Sequence, residues 1–482
     1  MLRNQTYSVA TGNFQTTQAA SDILEAGGNA YDAILSALFM SFVTEPLLSS
    51  PGGGGYLLAH AKDSKPKIFD FFAQTPHSKN QSKRDFYPIF GNFGTTKQEF
   101  HIGLASAAIP GVPAGIFAIH KQYGSMSLMD IANAAIKMAK KGMVVDALHA
   151  EVIQILKPII NYSQEGNNLF SDNKNNLLKE GCVKTNPHLA RFLTDLASNS
   201  SDWFYLNDPA KHICSAMGKN HGLLRQKDFE DYRVIIRDPL VKKIMGWNVL
   251  TNAIPSTGGM LITEQLKHAE LNKLTDNQHR IIDAMIYADQ LKNQQGFQSS
   301  KGTSHMNVID TDGNVASLTI SNGEGCGFIV PDCGFMLNNF LGEEDINTQG
   351  FFEFKENVRM ASMMSPTIIE QLGSNNKIAL GTGGSNRIKT AMFQVIWQII
   401  AEKKTLDQAI NQSRFHFENG ILDIENGINQ EIIDELKKTY KNINLWQNRS
   451  LYFGGINAVQ QGSKNLAISD SRRKGVGLVR IK

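Results

Sequence analysis

Polar and apolar side chains alternate most regularly between residues 303 and 321. Thr311, Asp312 and Gly313 suit a three-residue hairpin loop, because the last position of such a loop is left-handed and therefore favours glycine. That loop pairs Thr303 with Ser321. The predicted polar face carries Thr303, His305, Asn307, Ser317, Thr319 and Ser321, and the apolar face carries Met306, Val308, Ala316, Leu318 and Ile320. Taken alone, this pattern favours a half-buried hairpin whose polar face meets water.

The spacing of apolar residues predicts a mainly helical first half and a mixed second half, separated by the polar stretch QQGFQSSKG at 294–302. We expect this stretch to be a mobile linker and the boundary between segments 1–302 and 303–482. The predicted helices cover 16–26, a helix that Asn29 caps and Pro46 ends, 128–141, 146–157, 207–219, 258–271, 278–294, 389–402 and 405–413. Outside the hairpin, the predicted strands start at Tyr56 or cover 67–72, 242–251, 327–337 and 377–381, with short strands to Lys482.

The composition is that of a globular protein with a large core. The chain has 482 residues, of which 41% are hydrophobic and 19% charged, with a formal net charge of +3. The densest basic runs, 140–141 and 472–474, are expected to be solvated surface, so nucleic-acid binding has no electrostatic support. The longest apolar run, 33–43, is too short to span a bilayer, and no secretory signal precedes it. We therefore expect a cytoplasmic protein, provided that the chain is complete, and no membrane partner.

Several common catalytic and metal-binding patterns are absent from the sequence. The glycines at 52–55 fit neither glycine-rich phosphate-binding pattern and are more typical of a tight backbone turn. No G-x-S-x-G pentapeptide of an α/β-hydrolase occurs. His305 and His416 have no partner at metal-ligand spacing, and the cysteines show no C-x-x-C spacing. We therefore expect no metal and no other cofactor, ordinary histidines, and free thiols at Cys182, Cys214, Cys326 and Cys333.

Thr303 carries the most specific chemistry in the sequence, because it lies behind a glycine at the start of a strand. If the bond between Gly302 and Thr303 were cut, Thr303 would own a free α-amine with an ordinary pKa of roughly 7.7 to 8.0, suited to act as a base near neutrality. The β-branched side chain helps to hold Oγ near that amine, and threonine with its own amine is a known activated nucleophile. Gly302 can adopt the strained backbone that a self-cleaving bond would use.

Five stretches, in order along nearly the full length, resemble successive motifs of the γ-glutamyltransferase family, also called γ-glutamyltranspeptidase or glutathione hydrolase. They are AGGNAYDAILSALFMSFVTEPLLSSPGGGGYLL (26–58), GTSHMNVIDTDGNVASLT (302–319), GFMLNN (334–339), MSPTI (364–368) and GTGGSNRI (381–388). The resemblance implies an α+β fold, the four-layer αββα sandwich of N-terminal-nucleophile hydrolases. It implies one precursor that cuts itself between Gly302 and Thr303 into a large and a small subunit, intertwined in one unit. The implied activity is the transfer of a γ-glutamyl group, from an amide such as glutathione, to water or an amino acid.

The resemblance also assigns roles to residues around the nucleophile. Thr303 is the nucleophile, and Ser321 stands where the family has a hydroxyl residue that contacts it, in agreement with the hairpin pairing. Asn322 and Asn338 resemble polar residues near the bound acyl group. Glu343 falls where an acidic residue binds the α-amine of the substrate.

The oxyanion hole of the family is a pair of backbone amides in a glycine-rich loop. It corresponds to Gly383 and Gly384 by residue identity, or to Gly384 and Ser385 if Arg387 anchors the alignment. Because backbone amides do this work, the choice of side chain matters little.

Three positions depart from the family pattern. Phe72 stands where an arginine grips the α-carboxylate of the glutamyl group, so a bidentate charged contact is missing. Met363 replaces one of a serine pair, leaving Ser362, and Phe340 stands where a polar residue is usual. The substrate pocket is therefore predicted to be more apolar. A related acylase that cuts another amide, as in cephalosporin-acylase-like relatives, stays open, and so does an uncleaved pseudoenzyme that serves as a binding or scaffold protein.

Overall fold

A computed structural model describes residues 6–92, 97–272, 276–295, 303–344, 346–347 and 349–481. The strands are β1 (Thr6–Thr11), β2 (Gly54–His60), β3 (Lys67–Phe71), β4 (Tyr87–Asn92), β5 (Lys97–Ile102), β6 (Met143–Val144), β7 (Val183–Lys184), β8 (Ile235–Arg237), β9 (Leu240–Ile244), β10 (Trp247–Thr251), β11 (Thr303–Ile309), β12 (Val315–Ser321), β13 (Thr367–Gln371), β14 (Lys377–Gly381), β15 (Phe415–Glu418), β16 (Ile421–Ile424), β17 (Ile443–Leu445), β18 (Asn457–Gln461), β19 (Leu466–Ser469) and β20 (Val476–Ile481). The α-helices are α1 (Phe14–Glu25), α2 (Ala30–Thr44), α3 (Val112–Tyr123), α4 (Leu128–Lys141), α5 (Ala147–Ile155), α6 (Lys157–Ile160), α7 (Gln164–Phe170), α8 (Pro187–Ser198), α9 (Ser201–Leu206), α10 (Asp208–Lys219), α11 (Gln226–Asp231), α12 (Gly258–Leu271), α13 (Asn277–Gln295), α14 (Arg387–Ile400), α15 (Leu406–Asn411) and α16 (Gln430–Thr439).

Two antiparallel sheets form the centre of the molecule. One has seven strands in the order β20-β1-β11-β12-β2-β3-β8, and the other has six in the order β19-β18-β14-β13-β10-β9. Both sheets combine strands from before and after residues 296–302. Because β11 and β12 are hydrogen-bonded between β1 and β2, the segments on either side of that stretch share their sheets and their core.

Three layers of buried side chains separate four layers of secondary structure. One core lies between the seven-stranded sheet and α1, α2 and α4, and includes Met306 and Ile34. A second lies between the six-stranded sheet and α12, α13 and α14. The third fills the space between the sheets and includes Tyr56, Phe72 and Val459. This arrangement is the αββα sandwich that the sequence predicts.

The hairpin has the predicted register but different surroundings. Thr303 pairs with Ser321 and His305 with Thr319. Every residue of both strands is buried, so the prediction that the polar face meets water is wrong. The polar face is covered by the second sheet, and its groups bond there instead: the Asn307 amide donates to the Asn457 carbonyl at 2.8 Å.

Helix α2 shows how local sequence and burial combine. Asn29 accepts hydrogen bonds from the backbone amides of Tyr31 and Asp32, and the Asp32 carboxylate accepts one from the Asn29 amide, which completes a capping box. Every residue of α2 is buried, since it packs against α1, α4 and the sheet. A helix that is apolar all round is expected to lie inside a protein.

Some predicted elements differ from the structure. The strand predicted over 242–251 is two strands, because Met245 and Gly246 turn the chain with positive φ angles of 44° and 81°. The region 327–337 is a loop with two isolated bridges, between Ile329 and Met336 and between Leu337 and Gly52, and α16 lies where short strands were predicted. The predicted linker is helical at its first two residues, and the remainder, 296–302, lies outside the described residues. The four cysteines are free thiols, as predicted. None of the helices in the described ranges is long and apolar enough to cross a membrane.

Candidate active site

Thr303 is the first residue of an interior strand, and it is fully buried. Side chains of a strand alternate between its faces. Met306 lies in the core beneath the helices, whereas Asn307 bonds to Asn457 of the second sheet. The side chain of Thr303 therefore faces the second sheet. Gly302, on the other side of the predicted cleavage site, lies outside the described residues.

The end of β12 places two predicted site residues beside Thr303. Ser321 lies opposite Thr303 in the hairpin, and its Oγ accepts a hydrogen bond from the Gly323 amide at 3.0 Å. Asn322 is buried next to it and donates to a backbone carbonyl at 3.3 Å. A Cβ at Gly53 would lie 2.2 Å from the Ser321 carbonyl oxygen. The glycine-rich turn before β2 thus lets the backbone approach this strand end closely.

A second glycine-rich loop, between β14 and α14, packs against Thr303. A Cβ at Gly383 would lie 2.1 Å from the Thr303 carbonyl oxygen, so that only glycine fits there. The backbone is left-handed at Gly384 and at Ser385, with φ angles of 130° and 53°. Two such residues in succession suit a glycine pair, which favours the alignment anchored on Arg387. The loop also leads into the N-terminus of a fourteen-residue helix, where backbone amides and the helix dipole favour negative charge.

Arg473 contacts Thr303 directly. Its Nη1 donates to the Thr303 carbonyl oxygen at 2.8 Å. A Cβ at Gly455 would lie 2.5 Å from the Cγ and Cδ atoms of Arg473. Glycine at this position therefore leaves the space that the Arg473 side chain occupies. Burial and then the nearby charge of Arg387 lower the pKa of Arg473 to about 10. The guanidinium therefore remains a cation at neutral pH.

The sequence did not identify Arg473 as a site residue. Residues 472–474 were predicted to be solvated surface, which is wrong for Arg472 and Arg473, whereas Lys474 is exposed. Arg472 is buried, donates to Glu425 Oε1 at 2.7 Å and pairs with Asp470 at 3.1 Å. Arg414 completes this buried charge network through Asp470 at 2.6 Å. No local sequence signal separates such arginines from surface ones, because their acidic partners are up to 56 residues away along the chain.

Glu45 lies on the helical side of the sheet, on the opposite face of β11 from the Thr303 side chain. The Ser304 hydroxyl donates to both carboxylate oxygens of Glu45 at 3.2 Å. Burial raises the pKa of Glu45, while the charge of His149, the Ser304 hydrogen bond and the charge of Arg473 act in the opposite direction. A Cβ at Gly12 would lie 3.0 Å from Glu45 Oε1. This carboxylate, like Arg473, was not among the predicted site residues.

Phe72 occupies an aromatic cluster between the two sheets. Its ring lies 4.7 Å from Phe340 and 5.6 Å from Tyr56, measured between ring centroids. The Phe72 amide donates to Asp70 at 2.9 Å, and the Tyr232 hydroxyl donates to its carbonyl at 2.8 Å. Phe72 and Phe340, which the sequence associated with a more apolar pocket, are thus in contact.

Asn338 and Glu343, two further predicted substrate-binding residues, are both buried and make different contacts. Asn338 fixes backbone: its amide donates to the carbonyls of Gly52 and Ala108 at 2.7 and 3.0 Å, and its Oδ1 accepts from the Ala108 amide at 2.9 Å. Glu343 is buried, and its Oε1 would lie 2.7 Å from a Cβ at Gly323. The roles of these residues toward a substrate stay predictions.

The serine pair position lies in the chain segment just before β13. Ser362 is buried, and its Oγ accepts a hydrogen bond from the Met364 amide at 3.0 Å. Met363 packs in the core beneath α12 and α14, whereas Met364 lies in the core with Phe72. Met363 and Met364 thus lie in different cores, and the expected effect of Met363 on the substrate pocket stays a prediction.

The solved structures similar to this chain have the same fold. Cephalosporin acylase from Bacillus halodurans superimposes with a TM-score of 0.84 over 98% of this chain and 95% of its own, at 20% identity. The γ-glutamyltranspeptidase of Helicobacter pylori gives a TM-score of 0.52 over 58% of this chain and 81% of its own, at 24% identity. A four-layer αββα sandwich with a buried threonine at the start of an interior strand is the class that fold and site define together.

Sequence comparison is more specific. The family model described as gamma-glutamyltranspeptidase matches residues 16–296 and 283–479. The chain belongs to the γ-glutamyltranspeptidase family. Among its relatives are the capsule biosynthesis protein CapD proenzyme of Bacillus anthracis, 27% identical over 98% of this chain and 90% of the relative, and the glutathione hydrolase proenzyme of Pseudomonas aeruginosa, 26% identical over 98% and 94%. Because the family model is named for a transpeptidase and several relatives are named glutathione hydrolases, this is a family of enzymes.

Proposed function

We propose that this protein is a self-processing amidohydrolase and acyltransferase in which Thr303 is the nucleophile. The observation that carries the proposal is the buried Thr303 at the start of β11, opposite Ser321 and in contact with the loop of Gly383 and Gly384. In the precursor, Thr303 Oγ attacks the Gly302 carbonyl and displaces the Thr303 nitrogen. That displacement frees the Thr303 amine and leaves Gly302 as an ester on Oγ, and water then hydrolyses the ester to release the Gly302 carboxylate and restore the Thr303 hydroxyl.

In the mature enzyme the same hydroxyl attacks the carbonyl of an amide substrate. The Thr303 amine takes the hydroxyl proton and passes it to the leaving amine, while loop amides stabilise the oxyanion. The acyl group is left as an ester on Thr303. Water or an amino acid then attacks this ester with the amine as base, releasing a carboxylic acid or a new amide and restoring the threonine.

For the acyl group, the first candidate is γ-glutamyl, as in glutathione. It is supported by family membership, by the names of relatives such as the Pseudomonas aeruginosa glutathione hydrolase proenzyme, and by the buried Glu343, which suits a substrate α-amine. The second candidate is an acyl group without an α-carboxylate. It is favoured by the contact of Phe72 with Phe340, since a phenyl ring offers no charge to a carboxylate.

The experiment begins with the denatured mass of the purified protein. We expect fragments 1–302 and 303–482 from the wild type, and one unbroken chain from Thr303→Ala. Thr194→Ala, the same change at a threonine of helix α8, serves as the matched control and should be cleaved like the wild type. A wild-type chain that stays whole and inactive would replace this proposal with that of a binding or scaffold protein.

Substrate class is then resolved with the cleaved enzyme. Release of p-nitroaniline is compared between γ-glutamyl-p-nitroanilide and p-nitroanilides of unbranched acids that lack the α-carboxylate and α-amine. Higher kcat/KM on the γ-glutamyl compound supports the first candidate, and the reverse order supports the second. Addition of an amino acid acceptor, with product analysis by mass spectrometry, separates transfer from hydrolysis.

A further inference from the structure

Two oppositely charged side chains approach the nucleophile residue from the two faces of its strand. Arg473 binds the carbonyl of Thr303 at 2.8 Å from the side of the second sheet. Glu45 binds the hydroxyl of the next residue, Ser304, at 3.2 Å from the helical side. Because successive side chains point to opposite faces, neither charged group competes with the other for space.

The remaining ionisable groups of this neighbourhood come from several elements. Arg387 and Asp470 act on Arg473, and Asp146 and His149 act on Glu45. Glu324 and Glu343 lie on the side of Ser321 and Gly323, and His305, two residues after the nucleophile, is buried and has a pKa of about 3, so that it stays neutral. Single substitutions at Arg473 or Glu45 leave all of these groups in the protein.

We propose that Arg473 and Glu45 set, in opposite directions, how readily the α-amine of Thr303 loses its proton once self-cleavage has freed it. This inference rests on the proposed function. The amine acts as a base only when neutral, and a nearby cation disfavours its protonated form, while a nearby anion favours it. Burial raises the pKa of Glu45, and the charge of His149, the Ser304 hydrogen bond and the charge of Arg473 act against that rise, so Glu45 exerts this effect in the pH range where its carboxyl group is ionised.

The size of the shift that Arg473 causes in the titration of the amine follows from the distance between the guanidinium and the amine nitrogen. The nitrogen and the carbonyl oxygen of one residue lie within about 3.5 Å of each other, so the guanidinium lies about 6 Å from the amine. Two like charges at that distance, in the effective dielectric of a protein surface, shift a titration by about one to two pH units. Arg473 and Glu45 would therefore act through the base, as positioning residues for it.

The test is the acid limb of kcat/KM against pH, measured with the cleaved enzyme on its best p-nitroanilide substrate. Arg473→Gln should move the midpoint of this limb upward by about one pH unit, because the amine then holds its proton more strongly. Arg473→Lys keeps the cation and should leave the midpoint within about 0.3 units, even where kcat falls. Glu45→Gln should move the midpoint downward. Arg480→Gln, which removes an exposed cation paired with Glu25, is the matched control and should change nothing.

A second readout does not depend on substrate. Cyanate carbamylates only neutral amines, and the modified N-terminal peptide of the 303–482 fragment can be quantified by mass spectrometry at each pH. In this pH profile too, the midpoint should move upward in Arg473→Gln and downward in Glu45→Gln. It should stay in place in Arg473→Lys. Equal midpoints in Arg473→Gln and Arg473→Lys, or an unmoved or raised midpoint in Glu45→Gln, would overturn the inference.

The two proposals fail in different ways. Absence of self-cleavage in the wild type removes the proposed function, whereas cleaved and active variants without shifts remove only the charge effect. If Arg473→Gln folds but stays uncleaved, the Glu45→Gln shift decides by itself: a downward shift supports the inference, and no shift overturns it.

Discussion

Replacing Gly383 by alanine tests the contact between the glycine-rich loop and the nucleophile. An added Cβ would lie 2.1 Å from the Thr303 carbonyl oxygen and 2.6 Å from Arg473 Nη1. Ordinary non-bonded contacts of carbon are about 3.5 Å, so the loop or the Thr303 backbone must move by about 1 Å. The first of these neighbours is backbone in a buried strand and cannot rotate away, unlike the end of a flexible side chain.

A displacement of this size acts mainly on the rate. Misplacing reacting groups by about 1 Å can cost about 100-fold, and loss of one oxyanion donor costs a similar factor. We therefore expect kcat/KM of Gly383→Ala to fall by about 100-fold or more, which corresponds to about 2.7 kcal/mol of transition-state stabilisation. Overpacking should also lower the free energy of unfolding by about 1 to 3 kcal/mol.

Initial rates, self-cleavage and urea unfolding are measured together for Gly383→Ala and for Gly218→Ala. Gly218 lies in helix α10 and has open space where an alanine methyl group would lie, so alanine there should leave the rate unchanged and the stability equal or higher. A folded Gly383→Ala enzyme with kcat/KM within about threefold of wild type would refute the close packing of this loop on Thr303.

Three further predictions test separate parts of the structure. Phe72→Arg should raise kcat/KM on γ-glutamyl-p-nitroanilide relative to wild type; an equal or lower value, with thermal unfolding unchanged, would contradict the reasoning from the missing carboxylate contact. Burial raises the pKa of Asp470, but the charges of Arg414 and Arg472 outweigh it, so the net pKa is lowered. The ionised Asp470 therefore stabilises the folded protein above about pH 4, and this stabilisation is lost as pH falls through the folded pKa. Asp470→Asn should lower the free energy of unfolding in urea by about 3 to 5 kcal/mol at pH 7. The difference from wild type should shrink below about pH 4. Met306→Ala, in the core beneath α2, should cost about 2 to 5 kcal/mol without moving the pH profile of activity; a cost below about 1 kcal/mol would contradict its full burial.

Features set by short stretches of sequence were predictable. The turn at Gly313 fixed the register that pairs Thr303 with Ser321, and a left-handed φ of 89° at that glycine agrees with the loop type. Helix α4 was predicted with the same bounds, 128–141, and in the structure Ser127 caps its start and Gly142 follows its end. In both cases the deciding residues lie within a few positions of each other.

Features set by distant partners were not predictable from local pattern. The polar face of the hairpin resembled a solvated surface, yet it is covered by β14 and β18, whose residues come more than 50 positions later. Met363 and its neighbour Met364 pack in different cores, and the sequence pattern around them does not show which core each side chain enters. Resemblance to a family supplied the substrate-side residues, and only the structure added Arg473 and Glu45.

The alternation of side chains along β11 explains why Arg473 and Glu45 both lie next to Thr303. Thr303 must face the second sheet, because the glycine-rich loop and the opposite Ser321 are there. Ser304 must then face the helices, and Glu45 at the end of α2 is the acceptor that its hydroxyl meets. A shift of one residue in the register would exchange the two faces, placing serine against the loop and threonine against the carboxylate. The register that the Gly313 turn imposes therefore decides that Thr303, the proposed nucleophile, faces the glycine-rich loop and that Ser304 faces Glu45.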